Sequence, residues 1–488
     1  MPYQDQKSEW HGASPQQRAN IFPKLSNNDR LEVVQGLSPI EGGKILDEMK
    51  SSEAQLSFLT CMKFDRGIST LASATKGTRG AIVEAITLPS LQEIISHGIE
   101  RYLSEEVPTS AEAIVQELKN PGPKNSGRKP AKIIVFTDVG RDIDDAALLV
   151  VLAYLHRIKV VEVLLVVTNV KPTESRARAA KFIFEKMGAP DVPVARGSDG
   201  TDEGVNLYHY EFEGVGEPLG TILNGESAIV EKLETLKENE ERCNMIVVTS
   251  LRDLSELIKR HESLLETTVS SFFFQGAWEA DHEHVKTLVP DMAAVNNSYD
   301  RDATTHVYEW LRRGNISTYT ATRFSAVKAT ISSQVFREAA DRGHPAARYV
   351  YHAFGEQERK YYDDAADPER RFRPHMDKGW YANRHPRWRE ARGGALPEAF
   401  EDIQPFVGMT LYDVVAGLLC PLQEYDFVKH IYQPHEQEIL IGGKKVGHYI
   451  IGRPGDGPEK TIPDVHPELL SNVIVQLLQE GLSEIGTA

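Results

Sequence analysis

The chain has 488 residues, of which 41% are hydrophobic, and its 71 Asp and Glu outnumber 55 Lys and Arg to give a formal charge of −16. That length supplies an ordinary core and room for two domains or one large one with extensions. The acidic balance argues against a protein whose main partners are nucleic-acid backbones or anionic membranes, and leaves locally steered small ligands as the expected class. Cys61, Cys243 and Cys420 lie far apart in the chain, so neither a disulfide framework nor a CxxC metal pair is expected, and a reducing, cytoplasmic setting fits best. Residues 1–9 are polar and no apolar run reaches membrane-spanning length, so neither a signal peptide nor a spanning helix is expected.

Residues 1–118 read as an all-helical N-terminal domain, because apolar residues recur at helical spacing behind start signals. Ser38-Pro39-Ile40-Glu41 shows the logic: Ser38 caps, Pro39 suits the first helical position and Glu41 completes a capping box ahead of Ile45, Leu46 and Met49. Ser26-Asn27-Asn28-Asp29 opens a similar unit. No chemical motif falls here, which points to docking or regulation. Residues 119–130 then combine Pro, Gly and like charges as a linker does.

From 131 to 488 short apolar runs alternate with amphipathic helices, the pattern of an α/β domain with a mainly parallel, Rossmann-like sheet flanked by helices. Strands are expected at 132–137, 160–168, 245–249, 269–275 and 317–320, and helices at 143–156, 172–187, 251–260 and 300–313. A surface insertion near 355–405 is rich in Arg, His and Trp with interspersed acids, which favours a structured surface over a nucleic-acid patch. The run 438–451 reads as a hairpin turning near Gly442-Gly443, and 467–482 as a closing helix. In open sheets of this kind ligands bind beyond the carboxyl ends of the strands, which singles out Asp138, Asn169, the Ser250-Leu251-Arg252 turn and Gln275-Gly276.

Asp138, Asp142, Asp144 and Asp145 crowd the stretch after the first strand, where like charges repel unless something neutralises them. Capping of the following helix accounts for one or two of them; a hard cation accounts for all. Oxygen ligands select Ca²⁺ or Mg²⁺ over zinc. An aspartyl-phosphate phosphatase of the haloacid dehalogenase type starts from a similar strand but needs an aspartate where Gly140 stands.

At this loop the sequence resembles the inosine-uridine type nucleoside hydrolases, whose first strand ends in Asp-x-Asp-Pro-Gly-x-Asp-Asp-Ala. Asp138-Val139-Gly140 stands for Asp-Pro-Gly and Ile143-Asp144-Asp145-Ala146 for the second half, with two residues inserted within Arg141-Asp142. Val166-Val167-Thr168-Asn169 matches the loop after the family's second strand, Asp191 to Gly197 its Val-Pro-Val strand, and Thr249 to Leu254 its Gly-Pro-Leu-Thr-Asn-Leu turn. Ala294-Val295-Asn296 stands in the place of Glu-Phe-Asn, and Tyr412-Asp413 in the place of His-Asp. Members with an extra N-terminal region occur among type III effectors of plant-pathogenic bacteria, a layout similar to this one and one that implies delivery into a host cell.

The resemblance implies a nucleoside hydrolase-like fold and hydrolysis of the N-glycosidic bond of a ribonucleoside, nucleotide or ADP-ribose-like compound, with Ca²⁺-activated water. It implies Ca²⁺ bound by Asp138, Asp145, Asp413 and the Arg252 carbonyl, Asp138 as general base, and Asp144, Asn169 and Asn296 on the ribose. Tyr412, replacing the histidine, is the candidate partner of the leaving base. Arg141 suits a 5′-phosphate or diphosphate, since guanidinium matches phosphate oxygens. The alternative implied by Ala294 and Tyr412 is a nucleotide- or ADP-ribose-binding homologue without turnover, acting as an effector or regulator. A homodimer, or a protein partner held by the N-terminal helices, is the expected assembly.

Overall fold

Ile133, Ile134, Val135 and Phe136 have no exposed surface, a burial that a strand attains only when both faces of its sheet are covered, as in parallel sheets wrapped by helices. The computed structural model describes residues 13–22, 39–49, 55, 58–59, 82, 109–122, 125, 127–140, 143–202, 211–216, 221–277, 289–314, 316–327, 329–371, 373–441, 444–454 and 461–483. Within them the strands are β1 (Ala131–Thr137), β2 (Val161–Thr168), β3 (Val194–Arg196), β4 (Ile222–Asn224), β5 (Cys243–Val247), β6 (Val269–Gln275), β7 (Ser317–Ala321), β8 (Thr330–Ser332), β9 (Gly408–Thr410), β10 (His435–Ile441), β11 (Lys444–Ile451) and the short pair β12 (Arg453–Pro454) and β13 (Thr461–Ile462).

Nine of these strands form one sheet in the order β10-β11-β7-β6-β5-β1-β2-β3-β4. All neighbours run parallel except β10, which returns antiparallel on β11. The chain leaves β1 towards β2, β3 and β4 and comes back on the other side through β5. The order therefore reverses between β1 and β5, and the crevice beyond their carboxyl ends is the place where such sheets take ligands. β8 and β9 pair separately.

The crossover helices are where periodicity put them: Ile143–Arg157, Thr173–Lys186 and Arg301–Arg313. Arg252–Thr268 runs further than expected, past a non-helical His261, because Leu264, Leu265 and Thr268 continue the buried stripe. The hairpin β10-β11 forms as expected, with 442–443 outside the described residues. In the insertion, Trp388 and Tyr381 are buried and Arg359, Arg370 and Arg384 pair with Glu401, Asp364 and Glu358. These residues serve internal packing and pairing.

The chain divides into two compact units, 1–107 and 108–488. In the first, Pro15–Ile21 carries a capping box of Ser14 and Gln17, Pro39–Glu48 begins on Pro39 as read, and Phe22 meets Phe58 edge-on at 4.9 Å. Ser26 to Asp29 and Ser38 lie outside the described residues. Ala111–Lys119 belongs to the second unit, although sequence grouped it with the helices before the 119–130 stretch. Its stripe of Ile114, Val115 and Leu118 is buried, it packs on the closing helix Pro467–Ser483, and Lys119 Nζ reaches Glu480 at 2.7 Å.

Two buried histidines tie stability to pH. His448 on β11 lies 2.9 Å from Thr318 Oγ1, and burial lowers its pKa to about 4; burial and the neighbouring Arg384 charge lower that of His385 to about 3. Both stay neutral in the folded chain but protonate near 6.5 when unfolded, so their contribution is complete above that pH and is lost as pH falls towards 4. Each is expected to cost roughly 2 kcal/mol by pH 5. Denaturant midpoints at pH 7 and 5 should separate accordingly, and His448→Gln should narrow the gap; the same gap in His448→Gln and His385→Gln would contradict the assignment.

Candidate functional site

Asp138 follows the last residue of β1 and is 3% exposed, while Asp144 and Asp145, 5% and 1% exposed, fill the first turn of Ile143–Arg157. Between them the backbone turns through Gly140 at φ +96, and a Cβ there would come within 2.2 Å of the Phe212 ring. Glycine is required on both counts. Arg141 and Asp142, the inserted pair, lie outside the described residues.

Asp145 Oδ1 accepts from the Thr137 hydroxyl and, at 3.2 Å, from the Asp138 N–H. Asp413 arrives from far along the chain on Tyr412–Leu422, whose Gly417 packs so closely that a Cβ would stand 2.5 Å from Leu148 Cδ1 of Ile143–Arg157. This contact brings the two helices together, and the Asp413 N–H donates to Asp144 Oδ2 at 3.4 Å. One carboxylate oxygen from each of Asp144, Asp145 and Asp413 then lies within 4.8 Å of the others.

Two full charges at that separation repel by about 3 kcal/mol even at an effective dielectric of about 20. Three ionised pairs approach the whole stability of a domain, about 5–15 kcal/mol. Backbone N–H donors soften this but carry no net charge. A divalent cation fits the donor set, which is all oxygen and suits a hard ion.

The structure groups Asp144, rather than Asp138, with Asp145 and Asp413. Asp138 Oδ2 instead accepts from the Tyr299 hydroxyl at 3.0 Å, while its backbone carbonyl accepts from Arg176. Asn169 follows β2 as expected, but its side chain is engaged: Nδ2 donates to Ser250 O at 3.0 Å and Asp253 Oδ2 at 2.8 Å, and Oδ1 accepts from Thr249 Oγ1 at 2.6 Å. Asp253 also takes the Ser198 N–H at 2.8 Å, so one network joins the ends of β2, β3 and β5. Asn296 donates to Gln275 O at 3.2 Å and Gln275 Oε1 at 2.7 Å, beyond β6. Arg252 opens the helix after β5 with its side chain fastened to Asp300 and, at 2.9 Å, to Asp202. Tyr412 is half-buried beside the Arg384 guanidinium. Burial opposes that charge, but Glu358 and the surrounding phenols outweigh burial and raise the Arg384 pKa.

Arg176 and Tyr299 escaped the sequence reading. Arg176 has no exposed surface, and it donates to the carbonyls of Asp138, Val139 (2.8 Å), Val170 (2.7 Å) and Lys171 (3.2 Å). It clamps the loops after β1 and β2 to each other. Val170 sits at φ +66, a conformation a β-branched residue rarely adopts, and the clamp holds its carbonyl. Removing the guanidinium leaves several buried acceptors unpaired, so Arg176→Ala should cost about 3 kcal/mol or more, with Arg176→Lys recovering only part. Denaturant unfolding measures both, and an alanine variant within about 0.5 kcal/mol of wild type would refute the clamp.

No family model and no curated protein matches the chain. Among solved structures it is similar to the effector protein XOO4466, with 21% identity and a TM-score of 0.62 over 77% of this chain and 99% of that one. It is also similar to the type III effector XopQ complexed with adenosine diphosphate ribose, with 21% identity and a TM-score of 0.60 over the same shares. An inosine-uridine preferring nucleoside hydrolase from Bacillus anthracis aligns at 14% identity and a TM-score of 0.41, over 72% of this chain and 99% of that one. The chain therefore has the α/β fold of the two effector structures.

Proposed function

We propose that the protein hydrolyses the N-glycosidic bond of a ribosyl compound, a ribonucleoside or a nucleotide- or ADP-ribose-like relative, with Ca²⁺ as its cation. The observation that carries this is the convergence of Asp144, Asp145 and Asp413 at the point where strand order reverses, beside Asp138. Asp145 and Asp413, with Asp138, Asp144 and the Arg252 carbonyl as further oxygen donors, would hold a Ca²⁺ ion, which would supply positive charge for binding ribose hydroxyls and for lowering the pKa of a water. Asp138 accepts the proton of the attacking water, and the Tyr299 hydroxyl fixes its orientation.

The sugar becomes oxocarbenium-like as the base departs, so its hydroxyls need anchors that do not move. Asp144 and Asn296 Oδ1 provide them. Asn169 has both N–H bonds committed and contributes through the remaining lone pair of Oδ1, besides holding the turn that carries Arg252. Tyr412 donates to the leaving base. The acidic composition, the two-unit layout and the effector-like fold support an effector acting in a host cytoplasm, with the N-terminal unit as the candidate contact for a protein partner.

Chelator-treated protein should release free base from one of ribonucleosides, 5′-monophosphates or ADP-ribose only when Ca²⁺ is restored. Asp145→Asn and Asp413→Asn should each lower that rate by about 100-fold or more. Calcium-independent release, or full activity in both variants, would reject the mechanism.

A second reading is favoured by one departure, Ala294 where the resembled family has glutamate, and by the ligand of the XopQ structure: a binding protein for ADP-ribose-like compounds without turnover. Calorimetric binding of ADP-ribose with no base released from any of the three substrates would decide for it. Arg141 carries the phosphate preference in either reading. Arg141→Ala is expected to weaken 5′-monophosphates at least about tenfold while sparing nucleosides, and equal losses on both would remove that role.

A further inference from the structure

A second convergence of metal-binding side chains lies outside the acidic loop. Glu211, Glu213 and His352 each offer one ligand atom, and the three atoms lie within 4.8 Å of one another. The set differs in kind from the aspartates, since an imidazole with two carboxylates suits zinc or another borderline metal, whereas an all-oxygen set suits calcium.

The site is built from both sides. On 211–216 the Glu211 N–H donates to Gly140 O at 3.0 Å, and the Glu213 N–H to Glu211 Oε1 at 2.5 Å. On Pro345–Ala366 the Tyr349 hydroxyl donates to Glu211 O at 3.0 Å, and His352, three residues on, shares its face of the helix. His352 Nε2 is shielded from solvent and makes no hydrogen bond, although it lies 3.4 Å from Glu213 Oε2. The His352 side chain is 38% exposed, but its Nε2 is shielded and lies within reach of both carboxylates, an arrangement that a cation would complete. Donors around tetrahedral zinc stand about 3.3–3.6 Å apart, a spacing that the His352 Nε2–Glu213 Oε2 pair already has at 3.4 Å, and Glu213, 79% exposed, has room to adjust.

We propose that Glu211, Glu213 and His352 form a second divalent-metal site, of zinc type with water completing the shell, that staples 211–216 to Pro345–Ala366. The same segment seats Phe212 against Gly140, so the metal braces the outer side of the acidic loop. This holds whether or not the aspartate cluster supports turnover.

The test is zinc titration by calorimetry into the chelator-treated full-length chain, with calcium saturating the aspartates. One zinc per chain is expected. His352→Gln and Glu213→Gln should each weaken it at least about tenfold, while Asp145→Asn leaves it unchanged. Cobalt, used in place of zinc, should give a visible absorption band that both variants lose. No zinc uptake by the wild type would leave an ordinary His–Glu ion pair and overturn the proposal, as would undiminished uptake in the two variants. Should His352→Gln melt early, the exposed Glu213→Gln decides.

Discussion

Mutual repulsion among the carboxylates at the end of β1 is the constraint around which this molecule is organised. Asp138, Asp144, Asp145 and Asp413 are each no more than 5% exposed, so solvent screens little of their charge. The surrounding structure answers with hydrogen-bond donors. Thr137, the Asp138 N–H and the Asp413 N–H point at the cluster from the strand end and from the distant helix, and Tyr299 turns the Asp138 carboxylate aside. Arg176 brings a full positive charge to the loop and directs donors to its backbone carbonyls. The loop is thus held through its backbone as well as its carboxylates, and the oxygens of Asp144, Asp145 and Asp413 gather where a hard cation fits them.

Sheet topology explains why the constraint falls here. Because strand order reverses between β1 and β5, the loops after β1, β2, β5 and β6 open into one crevice, and Asn169 with Asp253 ties the first three together. Asp413 completes the cluster from 268 residues past Asp145 because Gly417 lets its helix lie directly on Leu148. A larger side chain at that contact would push Asp413 away from the loop. Packing between two helices therefore sets donor spacing, a link from core to site that motif spacing does not display.

Much of this was legible in the sequence, for identifiable reasons. Apolar runs and capping residues announced the parallel strands and their crossovers, because burial on both faces leaves an unambiguous pattern. The acidic loop stood out because four aspartates crowd one stretch, whereas Asn169 was marked by its place after a strand and Asp413 by the resemblance alone. Arg176 was not, since an arginine on a crossover helix reads as surface charge, and only the fold reveals four carbonyls around it. Tyr299 was hidden by its neighbours Asn296 and Asp300, which carried the resemblance. The helix Ala111–Lys119 joins the second unit through tertiary packing on Pro467–Ser483, a contact across the whole length of that unit that local pattern cannot register.

The grouping of Asp144 with Asp145 and Asp413 follows from where the loop is pinned. Asp138 is anchored on both sides of its peptide, by Asp145 at its N–H and by Arg176 at its carbonyl, and its side chain is drawn to Tyr299. Asp144 and Asp145 are fixed by the helix that follows. In sequence, 141–142 fall between these two anchored parts, and Asp145 holds the Asp138 N–H from across them. The spacing of the three carboxylates therefore rests on strand end, helix start and the Gly417 contact. Asn296, held at Gln275, and Tyr412, near Arg384, are fixed by other contacts, so either can change while the carboxylate spacing stays as it is.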